Sequence, residues 1–160
     1  MRRKRTLYVT RAAMIAALYV VLTMIANAFG LANYAIQVRF SESLTILPYF
    51  TPAAIPGLFA GCLISNILTG AMPLDVVFGS LATLIGALGT YYFRKWKWLT
   101  TVPPILANTI IVPYVLMHVY HFEGSLAYFM VTVGIGEIIS CGVIGMGLLF
   151  ALEKYKKDLF

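Results

Sequence analysis

The sequence predicts an all-α integral membrane protein of six transmembrane helices with both termini cytoplasmic. Three observations carry that reading. The 160 residues are 61% hydrophobic and only 11% charged, against about 25% charged in an ordinary soluble domain. Eleven of the twelve Lys and Arg residues fall in three short clusters: Arg2, Arg3, Lys4, Arg5 and Arg11; then Arg94, Lys95 and Lys97; then Lys154, Lys156 and Lys157. Between them run long, nearly uncharged apolar stretches, and cytoplasmic loops carry an excess of Lys and Arg. Only Arg39 lies elsewhere, a basic residue that topology does not explain.

Helix one is expected from about Tyr8 to Phe29. Its basic start, apolar run and Ala26-Asn27-Ala28 mimic a secretory signal with a cleavage site, but the segment is read as a retained span. Gly30 to Phe40, with Asn33, Gln37 and Arg39, reads as an ordered loop. Helix two, about Ser41 to Phe50, takes Ser41 as N-cap. At about ten residues it covers only half a bilayer, so it is short, tilted or partly re-entrant. Proline opens helix three (about Pro52 to Thr69) and helix four (about Pro73 to Phe93), where its missing N–H is an orphan anyway. Helix five runs from about Leu99 to Tyr120 and helix six from about Ser125 to Lys154. Trp96, Trp98, Tyr91 and Tyr92 flank the second basic cluster, as interfacial aromatics do.

Six crossings from an inside start put every basic cluster inside. The 30–40 loop, Gly70–Met72 and His121–Gly124 then lie outside. Residues 1–160 form one membrane domain. The net charge of +6 marks a cytoplasmic edge against anionic lipid and excludes a nucleic-acid reading, since no basic groove with interleaved aromatics is present. Small residues at Gly57 and Gly61, Gly86 and Gly89, and Gly134, Gly142 and Gly145 suit close helix packing. Ala12, Ala13, Ala16 and Ala17 make two overlapping AxxxA steps. Their spacing leaves open whether they pack inside the bundle or meet another protein's helix.

Of the six acidic residues, Glu153 and Asp158 belong to the basic tail and Glu123 to an outer turn. Glu42, Asp75 and Glu137 remain, and an ionisable group at membrane depth is functional by default. A helix-capping role competes for Asp75. Glu137 lies ~18 Å into helix six, too deep for capping. With Asn66, Asn108 and Arg39 these residues sketch a polar cup opening outward, the usual form of a small-molecule site. Arg39 and Glu42, three residues apart, could instead pair with each other. Cys62 and Cys141 read as inert core residues, and His118 and His121 as interfacial side chains. No nucleotide, hydrolase or metal motif is present. No cofactor or metal is therefore expected, and ATP-driven work needs other subunits.

The stretch QVRFSESLTILPYFTPAAIPGLFAGCLISN, Gln37 to Asn66, resembles the QueT family of queuosine-precursor transporters. The likeness continues through Pro73 to Thr83 and Gly136-Glu137 and covers nearly the whole chain. The Arg39–Pro48 element is its most specific part. These proteins are substrate-binding S components of energy-coupling-factor (ECF) importers in the plasma membrane. The resemblance implies an S-component-like bundle that binds its ligand outside the cell, docks on a transmembrane coupling subunit with two ATPase subunits, and topples to release the ligand inward. The chain itself is then not an enzyme. The alanine steps Ala12/Ala16 and Ala13/Ala17 become the docking surface, and the loop of about 30–40 a lid.

The implied ligand is a 7-deazaguanine such as queuine, its aminomethyl precursor or queuosine. Its N1–H and exocyclic amine suit a forked carboxylate, with Glu137 the first choice and Asp75 the second. Asn66 or Asn108 would donate to O6. Tyr34, Phe40 or Phe78 would stack on the ring, and Glu42 near the lid would meet a cationic amine. Gln37 and Arg39 complete the expected site. The alternatives are an S component for a different vitamin, a small membrane enzyme using His118, His121 and Glu123, and a scaffolding protein without ligand.

Overall fold

The computed structural model describes residues 2–30 and 39–156. Tyr34 and Gln37, with most of the expected lid, lie outside the described residues. Among those described, the regular elements are all helical. They are α1 (Arg2–Ala28), a 3₁₀ segment (Phe40–Tyr49), α2 (Ala54–Leu68), α3 (Pro73–Tyr92), a 3₁₀ turn (Lys97–Leu99), α4 (Val102–His118), α5 (Leu126–Glu137), a π stretch (Ile138–Ile144) and α6 (Gly145–Glu153). The last three run on as one rod. Among the described residues, four stretches are long and apolar enough to cross a membrane: Arg3–Ala28, Pro73–Tyr92, Lys97–His118 and Leu126–Glu153. Large apolar side chains such as Met14, Val21, Val77 and Ile85 are exposed along them. That is the expected surface for lipid, in which helices satisfy their own backbone.

Helix α1 begins at Arg2, earlier than the expected Tyr8. Arg and Lys are good helix formers, and the 27 residues rise about 40 Å. The basic first turns therefore extend past a hydrocarbon core of about 30 Å.

The second helix differs in kind from the expected α-helix. Phe40–Tyr49 is a ten-residue 3₁₀ segment, buried from Ser41 through Pro48. Runs of this length are uncommon. Its own hydroxyls support the tighter winding: Ser43 Oγ donates to Phe40 O at 2.6 Å and Thr45 Oγ1 to Glu42 O at 2.5 Å. Pro48, inside the segment, cannot donate to an α-helical ladder. At about 2.0 Å per residue the segment threads ~20 Å through the bundle centre. Leu44 and Leu47 pack there with Ile15, Tyr19, Leu58 and Ala87, while Ile46 packs with Met146 and Leu149.

Small residues set the tightest approaches. A Cβ on Gly57 would lie 2.6 Å from Ala12 O, and one on Gly61 would lie 3.0 Å from Ala16 O. Ala12 and Ala16 thus seat α1 on α2, while Ala13 and Ala17 face outward and are exposed. Gly86 admits the α4 backbone in the same way, with a Cβ there 2.7 Å from Pro104 Cα.

The three basic clusters meet at one end of the bundle. Tyr8 Oη donates to Pro52 O at 3.3 Å, Lys97 Nζ pairs with Glu153 Oε2 at 2.6 Å, and Lys156 Nζ stands 5.5 Å over the Tyr49 ring. Beside the four long helices, Ala54–Leu68 is a shorter apolar helix among the described residues.

Candidate ligand cavity and its floor

At the end away from the basic clusters lies a cavity of about 640 Å³, well inside the range of small-molecule sites. Ala26, Val112, Leu116, Phe129 and Val133 give it an apolar wall, and Arg39, Asn66, Asp75, Tyr120 and Glu123 supply polar groups. Three of the sequence-predicted residues therefore come together here: Arg39, Asn66 and Asp75.

Asp75 sits in the first turn of α3, but it is not the cap. Met72 occupies that position, with no side-chain capping bond. The carboxylate is 8% exposed and accepts a hydrogen bond from Tyr120 Oη at 2.8 Å through Oδ2. Tyr120 in turn accepts from Met72 N–H at 3.2 Å. Burial holds the Tyr120 phenol above its ordinary pKa, so it remains a donor. Asn66 Nδ2 has a sulfur neighbour, Cys62 Sγ at 3.6 Å. Arg39 is anchored by its backbone N–H, which donates to Ser140 Oγ at 3.2 Å. Its guanidinium makes no ion pair among the described residues, where the salt bridge is Lys97–Glu153. The alternative Arg39–Glu42 pair is therefore not formed, although Arg39 lies within electrostatic reach of both Asp75 and Glu42.

Glu42, Asn108 and Glu137 do not border the cavity. Each lies beneath it: Asn108 is one turn below Val112 on α4, and Glu137 is one turn below Val133 on α5. Glu42 is not at a lid but 1% exposed in this floor, because the buried 3₁₀ segment carries it inward. Tyr19 Oη donates to its Oε1, as does Thr83 Oγ1 at 3.4 Å, and Asn108 Nδ2 donates to Oε2 at 3.4 Å. Cys141 Sγ lies 3.2 Å from Glu137 Oε2, 3.4 Å from Glu42 O and 3.4 Å from Thr45 Oγ1. Both cysteines are free and buried at 1% exposure, and their sulfurs have polar neighbours within the core. Glu137, Ser140 and Cys141 are all buried around the α5–π junction, and π turns recur at functional sites. Ligand atoms of Glu42, Glu137 and Cys141 fall within 4.8 Å of one another. This is the group among the described residues that could hold a metal ion, but its members are already engaged with Tyr19, Thr83, Asn108 and Thr45.

Phe78, expected to stack on a ligand, is 45% exposed and does not line the cavity. His118 Nδ1 is 3.0 Å from Tyr114 O and its ring stacks on Tyr114. Several wall groups were missed by sequence reasoning. Thr23 and Asn27 continue a polar stripe from Tyr19 at intervals of four along α1, and Asp75, Gly79 and Thr83 repeat that interval on α3. This spacing is the signal that could have found them. Tyr120 and Glu123 come from the turn between α4 and α5, and Tyr128 from the first turn of α5. The α4–α5 turn is shaped by His121 at φ 52°, a left-handed conformation that His tolerates better than most residues, and by Ser125 Oγ, which caps α5 by accepting from Tyr128 N–H at 3.2 Å.

A family model described as QueT transporter matches residues 9–154. The chain is also similar to the curated queuosine precursor transporter QueT of Lactococcus lactis subsp. cremoris (strain MG1363). The two are 36% identical over 98 residues, which cover 61% of this chain and 57% of that protein. The chain therefore matches little more than half the length of that relative. No solved structure matches the chain.

Proposed function

The chain belongs to the QueT transporter family, a multi-pass plasma-membrane family, and from that premise we propose that it is the substrate-binding subunit of an ECF-type importer for a 7-deazaguanine queuosine precursor. The observation that carries this reading is the cavity of about 640 Å³ at the end opposite the basic clusters, with Asp75, Asn66 and Arg39 in its wall.

The ligand's polar edge is complementary to that set. Its adjacent N1–H and exocyclic amine need two acceptors side by side, and Asp75 offers them. Oδ2 retains a lone pair beside Tyr120, and Oδ1 has no protein donor among the described hydrogen bonds. Asp75 takes this fork in preference to Glu137 because it borders the cavity, whereas Glu137 lies a turn below. O6 is an acceptor and meets Asn66 or Arg39. The ring stacks on a wall aromatic, Phe129 or Tyr128, rather than on Phe78.

The same reading has six crossings with both termini cytoplasmic, supported by the gathering of the basic clusters at one end. Energy comes from a coupling subunit and two ATPase subunits, since the chain carries no nucleotide-binding motif. Ala13 and Ala17, which face outward on α1, offer the coupling subunit a smooth surface, with the partly exposed Ala12 and Ala16 beside them.

Calorimetry on the detergent-purified chain tests the reading, with queuine, aminomethyl-deazaguanine and queuosine beside biotin and riboflavin. Saturable binding of a deazaguanine and none of either vitamin is expected. A well-folded sample that binds no deazaguanine refutes it.

A further inference from the structure

Charge is divided sharply along this molecule. Among the described residues Arg39 is the one Lys or Arg at the cavity end. Two carboxylates, Asp75 and Glu123, share the cavity wall with it. A chain of net charge +6 thus presents a binding cavity in which negative groups outnumber positive ones. Such a field raises the local concentration of cations and their rate of entry.

These carboxylates are not equivalent. Glu42 and Glu137 lie below the wall among Tyr19, Thr83, Asn108 and Cys141. Asp75 is held by Tyr120. Glu123 has neither a hydrogen bond nor an ion pair with any described residue, yet it borders the cavity in the turn between α4 and α5. Phe122 and Tyr128 line the cavity near it, and aromatic faces attract an ammonium group. From Ser125 to Val133, beside the floor, is about 12 Å of helix. The turn therefore stands at the mouth, above the floor.

We infer that the site selects a cationic ligand and that Glu123 is the specificity-determining residue that holds the ligand's ammonium group at the mouth while its ring lies deeper. This inference rests on the proposed 7-deazaguanine reading and narrows it to members whose 7-substituent is a protonated amine. Glu42, expected from sequence to meet that amine, is displaced from the role by its place in the floor.

The test compares two probes of the same ring on the purified full-length chain: aminomethyl-deazaguanine, which is cationic, and its neutral 7-cyano analogue. The wild type is expected to prefer the cation. In Glu123→Gln the ratio of the two affinities falls about fivefold to tenfold, the scale of a partly exposed ion pair, and Glu123→Asp restores much of it. Raising salt shrinks the wild-type preference. A ratio unchanged in Glu123→Gln overturns the role of Glu123, and a wild type that prefers the neutral analogue overturns cation selection. Binding of neither probe overturns the deazaguanine reading itself, and this inference with it.

Discussion

The cavity wall and its floor are built from the same three side-chain types. In the wall, Asp75 is held by the phenol of Tyr120, with the amide of Asn66 nearby. In the floor, Glu42 is held by the phenol of Tyr19, with the amide of Asn108 completing it. What differs is access. The wall set borders open volume, and Arg39 and Glu123 beside it have no ion-pair partner among the described residues. The floor set is enclosed, and its carboxylate oxygens are both occupied. A buried polar group left unpaired is expensive, so the floor groups specify the arrangement of the helices, whereas the wall groups can wait for a ligand. Residue type alone does not separate these roles.

The contrast is broken most directly by Glu42→Ala. It removes the carboxylate that Tyr19 and Asn108 donate to and leaves a cavity, and should cost about 3–5 kcal/mol of stability, seen as a large drop in melting temperature in detergent. Asp75→Asn removes a wall charge instead. It should weaken deazaguanine binding by about tenfold or more in calorimetry while moving the melting temperature little. Equal destabilisation by both variants would erase the distinction between wall and floor. The phenols sharpen it further. Tyr19→Phe should lower stability by about 1 kcal/mol, whereas Tyr120→Phe, at a half-buried site, should act chiefly on ligand affinity. The smallest effect belongs to Phe78→Ala. It is exposed and does not line the cavity, so affinity should stay within about twofold and stability within about 0.5 kcal/mol. A marked loss of binding would return Phe78 to the site.

Much of the architecture was legible because it follows from solvent. Apolar length and clustered Lys and Arg mark passes and ends, and Lys97–Glu153 and Lys156 over Tyr49 bring those clusters together as expected. Helix type was less legible. Nothing in the hydropathy of Phe40–Tyr49 distinguishes an α-helix from a 3₁₀ segment. The difference lies in where the hydroxyls of Ser43 and Thr45 bond, and that depends on burial. The π stretch at Ile138–Ile144 has no local sequence mark either. Site residues were legible as a set, since charge and amides at membrane depth are costly, but not by layer. Depth along a helix put Glu137 near the midplane without saying that Val133 closes the cavity above it. Glu42 seemed to belong to a lid because its segment follows the loop, and only the inward course of that segment takes it to the floor.

The floor has one more consequence. Below Glu42 and Asn108 the bundle continues as close-packed Leu44, Leu47, Leu58 and Leu149, each at most 5% exposed. Among the described residues the cavity is therefore a blind well rather than a pore, closed between its mouth and the basic end. Such a body insulates. Reconstituted alone into vesicles, it should leave the membrane as tight to ions as bare lipid, with ligand bound or absent.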